Sequence, residues 1–473
     1  MSTAAGSAPG RYAATRVDGV PDGGVSFWYA QTGLPTPRAP LPGDLDADVC
    51  IVGGGLTGLW TAYYLKQAAP QLDVVVLERE FCGYGASGRN GGWLSAEVAA
   101  SSRTGLATHG EQGLRALHTQ MRATVDEVLA VLDREGVDAD VRRDGTLFVA
   151  RSRAQLDRLR ASADDERRWG ARVTPLSAAE SDDRVRVSGV HGALHVDGAA
   201  RVQPAKLVQG VAAAVERLGV RLFEGTTVTA VRPGAAVTDR GTVRAPYVLR
   251  CLEGFSAGLP GERRTWLPMN SAMVVTAPLP EGVRAQVGWD GAELLGDTAH
   301  AYVYAQRTAD GRIALGGRGR PYRYGSRTDV HGRAQPATVR ALTALLHELF
   351  PAVRTVPVEH AWCGVLGVPR DWSPTVHLDR ATGLGWAGGY VGSGLTTTNL
   401  AGRTLRDLVL GDDTPLTRLP WTGRQVRRWE PEPLRWLGVQ ALYALYREAD
   451  RREARGLRRT SLLARAADRV AGR

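Results

Sequence analysis

The sequence predicts an α/β chain in which a parallel-sheet domain is intertwined with a second, β-rich domain. Three observations predict this. The chain has 473 residues, more than one simple core organises and suited to two domains. A strand, a glycine turn, a helix and a second strand follow one another between residues 48 and 77. Residues 272–315 carry several short strand signals with hairpin chemistry between them.

The elements read in order as follows. Residues 1–25, rich in Ala, Gly, Ser and Pro, lack a basic start followed by an apolar block and read as a loose leader rather than a secretion signal. Residues 48–52 are a short apolar, β-branched run ending at glycines, as in a buried parallel strand. A helical pattern covers 56–66, and 74–77 is a second buried strand. Residues 111–134 place Leu114, Leu117, Met121, Val125, Val128 and Leu132 on one stripe of a long amphipathic helix. A strand at 146–149 follows, then a helix over 203–218 closed by Gly219. Residues 220–231, 242–249, 272–276, 301–306 and 312–315 are strand-like, with Ala309-Asp310-Gly311 as a hairpin turn. Residues 338–350 are helical and stopped by Pro351, 385–387 form the last strand, and 395–408 the helix after it. Beyond Gly411, Pro415, Pro420, Pro431 and Pro433 precede a basic helical tail. The expected division is a discontinuous nucleotide domain over 26–95, 190–260 and 355–411, a substrate domain over 96–189 and 261–354, and an extension over 412–473.

Composition excludes several classes. Hydrophobic residues make up 43% and charged residues 23%, ordinary for a soluble globular protein. No run of eighteen apolar residues suggests a membrane span. Cys50, Cys82, Cys251 and Cys363 lack CxxC spacing, so neither a zinc site nor a disulfide framework is expected, and a cytoplasmic setting fits. The net charge of +10 is concentrated after Trp421 without an aromatic-and-basic reading motif, which argues against nucleic acid. Arginine supplies nearly all the basic charge; the only lysines are Lys66 and Lys206.

The chemistry sits in three glycine-rich segments. Gly53-Gly54-Gly55-Leu56-Thr57-Gly58 is a GxGxxG turn that follows a strand, opens a helix and has Glu78 at the end of the next strand. Its glycines permit the tight turn, the approach of backbone to a pyrophosphate and close helix–strand packing. The helix N–H groups then meet phosphate charge, and Glu78 is placed to accept from a ribose. This much indicates a dinucleotide without separating NAD from FAD. The second segment, Gly83-Tyr84-Gly85-Ala86-Ser87-Gly88-Arg89-Asn90-Gly91-Gly92, lets backbone lie against a flat or charged ligand. The third, Trp386-Ala387-Gly388-Gly389-Tyr390-Val391-Gly392-Ser393-Gly394-Leu395-Thr396-Thr397, leaves a strand and enters a helix.

On these segments the chain resembles the D-amino-acid-oxidase, glycine-oxidase and sarcosine-oxidase superfamily, most of all its γ-glutamylputrescine-oxidase branch. The likeness covers residues 26–411. It implies a Rossmann-like FAD-binding domain of the glutathione-reductase type and a bound, non-covalent FAD. It further implies that Gly53, Gly55, Leu56, Thr57, Gly58, Glu78, Arg79, Gly85, Ala86, Ser87, Arg89, Asn90, Gly91, Gly92 and Val228 hold the cofactor, with Gly388, Gly392, Ser393, Gly394, Leu395 and Thr396 at the flavin. There a helix N-terminus favours negative charge on the pyrimidine ring.

The implied reaction oxidises a C–N bond of a small amine or amino acid to an imine, with molecular oxygen as acceptor and hydrogen peroxide as product. Trp93, Tyr302, Tyr304, Trp362 and Tyr390 are candidates for the substrate slot, with Asn270 and Met273 beside them. Arg318 could pair with a substrate carboxylate. The amine reacts in its neutral form, so no general base is required, and the sequence shows neither a triad nor paired carboxylates. In sarcosine-oxidase relatives a lysine near the flavin aids electron transfer to oxygen; the matching strand here holds none, which leaves another acceptor open. Cys363 lies near the region where those relatives attach flavin, but reads as a buried, inert thiol. No metal is expected. The alternative function is a biosynthetic dehydrogenase or monooxygenase acting on a specialised metabolite, and Gly296-Asp297-Thr298-Ala299-His300 resembles a run of flavin aromatic hydroxylases. A strand follows it, however, so the likeness reads as coincidence. In the tail, Leu434, Leu437, Ala441, Leu442 and Leu445 form an apolar stripe followed by arginines, which suits a helix docked on its own protein better than one on a membrane surface.

Overall fold

The structure, a computed structural model, describes residues 11–99, 102–317 and 321–471. The strand Val49–Val52 and the strand Val74–Leu77 are buried along their whole length. Such uniformly apolar runs fit only the interior of a parallel sheet covered on both faces. They form the centre of a six-stranded sheet. Its order is Arg221–Phe223, Val74–Leu77, Val49–Val52, Tyr247–Arg250, Leu384–Gly388 and Thr375–Asp379. All neighbours are parallel except the last pair.

The helices Leu56–Ala68, Pro204–Arg217 and Gly394–Leu410 pack on this sheet and share its core. The first and last of these approach closely at Gly402, where a Cβ would stand 2.8 Å from both the Thr61 nitrogen and Trp60 Cβ. Gly402→Val therefore forces the two helices apart. A loss of about 1–3 kcal/mol is expected, as in other overpacked cores, and a urea midpoint measures it.

The second domain is built on a ten-stranded mixed sheet. Its central hairpins pair Leu267–Thr276 with Val358–Val368 and with Ile313–Gly317, which continues to Val303–Arg307 and Leu294–Asp297. The crossings between sheets differ from the expected boundaries. Gly192–Val196 and Val358–Val368, expected in the nucleotide domain, belong to the ten-stranded sheet. The periodicity of an isolated strand does not say which sheet it joins.

Two further expectations are corrected. Residues 11–25 are not a loose leader. Thr15–Val17 and Val20–Asp22 add two strands to the edge of the large sheet, and Val25 is fully buried. The Asp22 carboxylate accepts from the Ala334 N–H at 2.9 Å, so polar composition here marks a tethered arm. Residues 1–10 lie outside the described residues.

The tail helix Leu434–Ala454 does dock on its own protein, but not through the expected stripe. Leu434 and Leu437 are exposed, while Val439, Tyr443, Tyr446 and Ala449 face inward. Charged residues sit on the buried face because each is paired. Arg435 donates to the Arg263 carbonyl and to Glu432, each at 3.1 Å. Glu453 accepts from Arg158 at 2.8 Å and from His300 at 3.0 Å. The segment Gly296 to His300 is thus a strand end fastened to the tail. No helix among the described residues is long and apolar enough to cross a membrane.

Candidate functional site

A cavity of about 600 Å³ runs between the carboxyl ends of the parallel strands and the face of the ten-stranded sheet. At one end, Gly53 leaves its strand at φ +112° and its N–H donates to the Leu77 carbonyl at 2.8 Å. Glu78 braces this turn, its two oxygens accepting from the N–H groups of Gly54 at 2.8 Å and Glu80 at 3.0 Å. A carboxylate has further lone pairs, so Glu78 can still accept from a ribose. Burial raises its pKa and the two N–H donors oppose that.

Two helices begin at this cavity without a capping side chain of their own: Leu56–Ala68 at Gly55 and Gly394–Leu410 at Ser393. Uncapped N-termini leave N–H donors and positive partial charge facing the space. The Leu56 N–H meets the Ser87 hydroxyl at 2.9 Å, and the Thr57 and Tyr390 hydroxyls link the two helix starts at 3.1 Å. Glu253 pins the turn before the second helix. It accepts from Gly367, Gly389 and Tyr390 N–H groups at 2.5, 3.1 and 2.9 Å.

The loop from Tyr84 to Gly92 lies between these ends, and all its carbonyls are turned to protein donors. The Tyr84 carbonyl accepts from Arg89 Nε at 2.6 Å, Gly85 from the Gly88 N–H at 3.3 Å, and Ala86 and Ser87 from Asn90 Nδ2 at 3.2 and 2.9 Å. Gly88 accepts from Ser26 Oγ, Arg89 from Trp362 Nε1 and Asn90 from Trp28 Nε1, each at 2.8 Å. Gly91 accepts from Gln306 Nε2 at 2.7 Å and Gly92 from the Val202 N–H at 3.0 Å. The N–H groups of Gly85, Ala86, Ser87, Asn90 and Gly91 find no acceptor among the described residues, and all five residues line the cavity. Buried N–H groups are normally paired, so a loop with this imbalance asks for an acceptor-rich ligand. A pyrophosphate and a flavin edge meet that demand, and the residues present fit FAD. Beneath the loop the Arg89 guanidinium, fully buried, pairs with Asp329 at 2.6 Å and lies 4.2 Å from the Tyr84 ring centre.

Of the residues singled out in the sequence, Gly53, Gly55, Leu56, Thr57, Glu78, Arg79, Gly85, Ala86, Ser87, Arg89, Asn90, Gly91, Val228, Gly392, Ser393, Gly394 and Leu395 line this cavity. Trp93, Tyr302, Tyr304 and Tyr390 line it as well. Gly58, Gly92, Gly388 and Thr396 do not; they pack the walls. A Cβ on Gly58 would stand 2.2 Å from the Gly53 carbonyl oxygen, and the Thr396 hydroxyl donates to the Ser95 carbonyl at 2.6 Å. Trp362 is corrected from slot to core. It is fully buried against Phe27 and Trp28, and its indole N–H serves the Arg89 carbonyl. Arg318 lies outside the described residues. Cys363 is buried beside Asn270, and burial pushes its thiol pKa far up.

The far end of the cavity is walled by rings. Trp93 stands edge-on to Phe148 and to Tyr304, each centroid 6.3 Å away. The Trp93 indole N–H donates to the Ala305 carbonyl at 3.2 Å, and the Tyr304 hydroxyl meets Ser271 at 2.9 Å. Two carboxylates to which the sequence analysis gave no role in the site also line the cavity, Glu97 and Asp297. Asp297 accepts from the Val303 N–H at 3.1 Å and the Ala299 N–H at 3.4 Å, and burial pushes its pKa up to about 6. Glu97 stays exposed to the open space, yet the protein packed around it, with Glu166 adding to the effect, pushes it up to about 7. They lie two hundred residues apart in sequence, so no spacing signals them.

Burial also raises Glu253 to about 7, a cost at high pH rather than a gain. Its folded pKa exceeds the unfolded one. The unfavourable contribution is therefore fully present above about 7 and is relieved as pH falls towards the unfolded value. The apoprotein's Tm is expected to rise as pH drops from about 8 to about 6.5, and Glu253→Gln should flatten that rise. Differential scanning calorimetry at several pH values checks this.

Comparison with known proteins agrees with this geometry. A family model described as FAD dependent oxidoreductase matches residues 48–408. The chain is similar to gamma-glutamylputrescine oxidoreductase of Escherichia coli (strain K12), 30% identical over 396 residues, covering 82% of this chain and 89% of that protein. It is similar to glycine oxidase of Geobacillus kaustophilus (strain HTA426), 25% identical over 79% of this chain and 96% of that protein. The crystal structure of glycine oxidase from Geobacillus kaustophilus superposes with a TM-score of 0.66, covering 80% of this chain and all of that one at 23% identity, and so shares the fold. The model spans most of the chain, through all three glycine-rich segments: this protein belongs to the FAD-dependent oxidoreductase family of the D-amino-acid-oxidase type.

Proposed function

We propose that the chain oxidises a C–N bond of a small amine or amino acid to an imine, with molecular oxygen as acceptor and hydrogen peroxide as product. Bound FAD supplies the chemistry by taking a hydride equivalent from the C–H next to nitrogen. The protein's part is to bind and orient and, in a revision of the sequence expectation that no base is required, to deprotonate. The observation that carries the reading is that Trp93, Phe148, Tyr302 and Tyr304 line the same cavity as the carboxylates of Glu97 and Asp297. Aromatic faces hold an ammonium and exclude water. Carboxylates with raised pKa values can then take its proton near neutral pH, leaving the neutral amine that reacts. Together with the loop N–H groups of Asn90 and Gly91 on the cofactor side, these groups define a slot for a small nitrogen compound.

One observation favours a second reading of the acceptor. Neither lysine lines the cavity: Lys66 donates to the Pro70 and Leu72 carbonyls, and Lys206 pairs with Asp140. Without a cation placed by lysine, electrons could pass to a partner other than oxygen. The four cysteines are all free and buried, which fits our placement of the protein in the cytoplasm.

Anaerobic addition of amines and amino acids to the yellow holoprotein, followed by air, tests both points. Bleaching by one class of amine, then recovery with peroxide, is the expected result. Bleaching that air does not reverse replaces oxygen with another acceptor. A flavin that no amine bleaches overturns the C–N reading.

A further inference from the structure

The segment just ahead of the parallel-sheet domain, outside the region matched by the family model, meets the cofactor loop from behind. Val25 is fully buried and held at φ +73°, a conformation that β-branched residues rarely adopt. Its N–H donates to the His331 carbonyl at 2.8 Å, and Gly332 packs against its carbonyl so closely that a Cβ would stand 2.1 Å away. The tight turn sets the next residues against the loop. Ser26, fully buried, donates its hydroxyl proton to the Gly88 carbonyl at 2.8 Å. Trp28, 1% exposed, donates its indole proton to the Asn90 carbonyl at 2.8 Å. Gly88 and Asn90 flank Arg89 in the stretch whose unpaired N–H groups face the cavity.

We propose that Ser26 and Trp28 are positioning residues for FAD: Trp28 holds the Asn90 carbonyl outward, which aims the Gly91 N–H at the cofactor, and Ser26 holds the Gly88 carbonyl, which fixes the turn that carries the Ala86 and Ser87 N–H groups. The inference rests on the cavity being the FAD site. A peptide unit has its N–H and C=O on opposite edges, so fixing the carbonyl on one side aims the N–H of the next residue to the other. Asn90 O is linked in this way to Gly91 N, which finds no acceptor among the described residues; Gly88 O is linked to Arg89 N, which closes the turn on the Ala86 carbonyl at 3.2 Å and so fixes the stretch that carries the Ala86 and Ser87 N–H groups. Without the two donors the buried carbonyls lose their partners, and the loop must be ordered by the cofactor itself. The consequence falls on affinity for FAD more than on the fold.

The test compares Ser26→Ala and Trp28→Phe, singly and together, with the wild-type apoprotein. Each removes one donor and keeps most of the packing. The readouts are the Kd for FAD, from quenching of flavin fluorescence, and the Tm of apo and holo forms. Each single variant is expected to weaken FAD about 5- to 10-fold and the double variant about 25- to 100-fold, the size of one and two lost hydrogen bonds. The gap between apo and holo Tm should shrink in step. Thr32→Val, which alters the end of the same short helix without touching the loop, should leave the Kd unchanged. A purely structural role would lower both Tm values and leave the Kd within two-fold of wild type; that result overturns the proposal. Ser26→Ala, which removes a single oxygen atom, keeps the test open if the double variant does not fold. A wild-type apoprotein that binds no FAD would instead refute the site on which the proposal stands.

Discussion

Arg89→Ala lowers the stability of the apoprotein by about 3–5 kcal/mol and abolishes retention of FAD through gel filtration. The magnitude is that of breaking a buried ion pair by removing one partner. Asp329, with 1% of its side chain exposed, would keep its charge while losing the guanidinium at 2.6 Å. Among the described residues it retains the Gly332 N–H as a close donor. The Tyr84 carbonyl loses the Arg89 Nε donor as well, and the Tyr84 ring loses its cation. Arg89→Lys should recover part of the stability and little of the binding. An ammonium can pair with Asp329 but cannot also serve the Tyr84 and Cys363 carbonyls, at 2.6 and 3.3 Å from Arg89, in a planar fork. The double variant Arg89→Met, Asp329→Leu separates the two effects: it restores much of the stability if the pair is only ballast, and leaves FAD binding impaired if the fork shapes the loop. Chemical denaturation and flavin retention read the two independently.

The second large effect is on turnover. Asp297→Asn should reduce kcat/KM for the amine by about 10- to 100-fold, the value of a hydrogen bond to a charged partner. An amide oxygen still accepts from the Val303 and Ala299 N–H groups, so the strand end keeps its shape. The pH profile carries the more specific signature. Asp297 has a pKa raised to about 6, so its carboxylate is present above that value and lost as pH falls through it. The wild-type kcat/KM should fall on the acid side near pH 6, and in Asp297→Asn that limb should vanish. Glu97→Gln should move the same limb without removing it, because Glu97 titrates near 7 on the open side of the slot. A variant profile identical to wild type would exclude Asp297 as the proton acceptor.

How much of this was legible in the sequence follows from how local each feature is. The Gly53 turn, the 83–92 loop and the 386–397 segment are continuous runs, and each lines the cavity from its own stretch of chain. Hydrophobic patterning likewise marked the Val49–Val52 and Val74–Leu77 strands, whose residues are buried on every side. The substrate end was not legible, because Phe148 and Asp297 come together only through the pairing of strands Thr146–Ala150 and Leu294–Asp297, and Glu97 comes from the separate loop after Trp93. Trp362 misled because an aromatic in a β-rich segment looks the same whether its ring faces the slot or, as here, the core. The tail stripe misled because a helix with Arg435 and Glu453 paired inward can expose Leu434 and Leu437. The N-terminal arm was hidden by its composition: Gly23 and Gly24, which read as looseness, take positive φ values in a tight turn.

The order of the six-stranded sheet has a bearing on how the protein is made. Val49–Val52 pairs with Tyr247–Arg250, which pairs in turn with Leu384–Gly388. The N-terminal arm at Val20–Asp22 waits for Val358–Val368. During synthesis the glycine turn at Gly53 therefore leaves the ribosome long before its neighbour Tyr247–Arg250, and the strand Leu384–Gly388 beyond that, exist. Nascent chains without residues 384–410 lack one wall of the cavity and one edge of the sheet, and they expose apolar strands meanwhile. Such long-range pairing makes folding slow and aggregation-prone. The cavity lining is complete only once residue 398 has been made, so poor cofactor supply in an expression host should appear as apoprotein that has folded, not as chains arrested half-way.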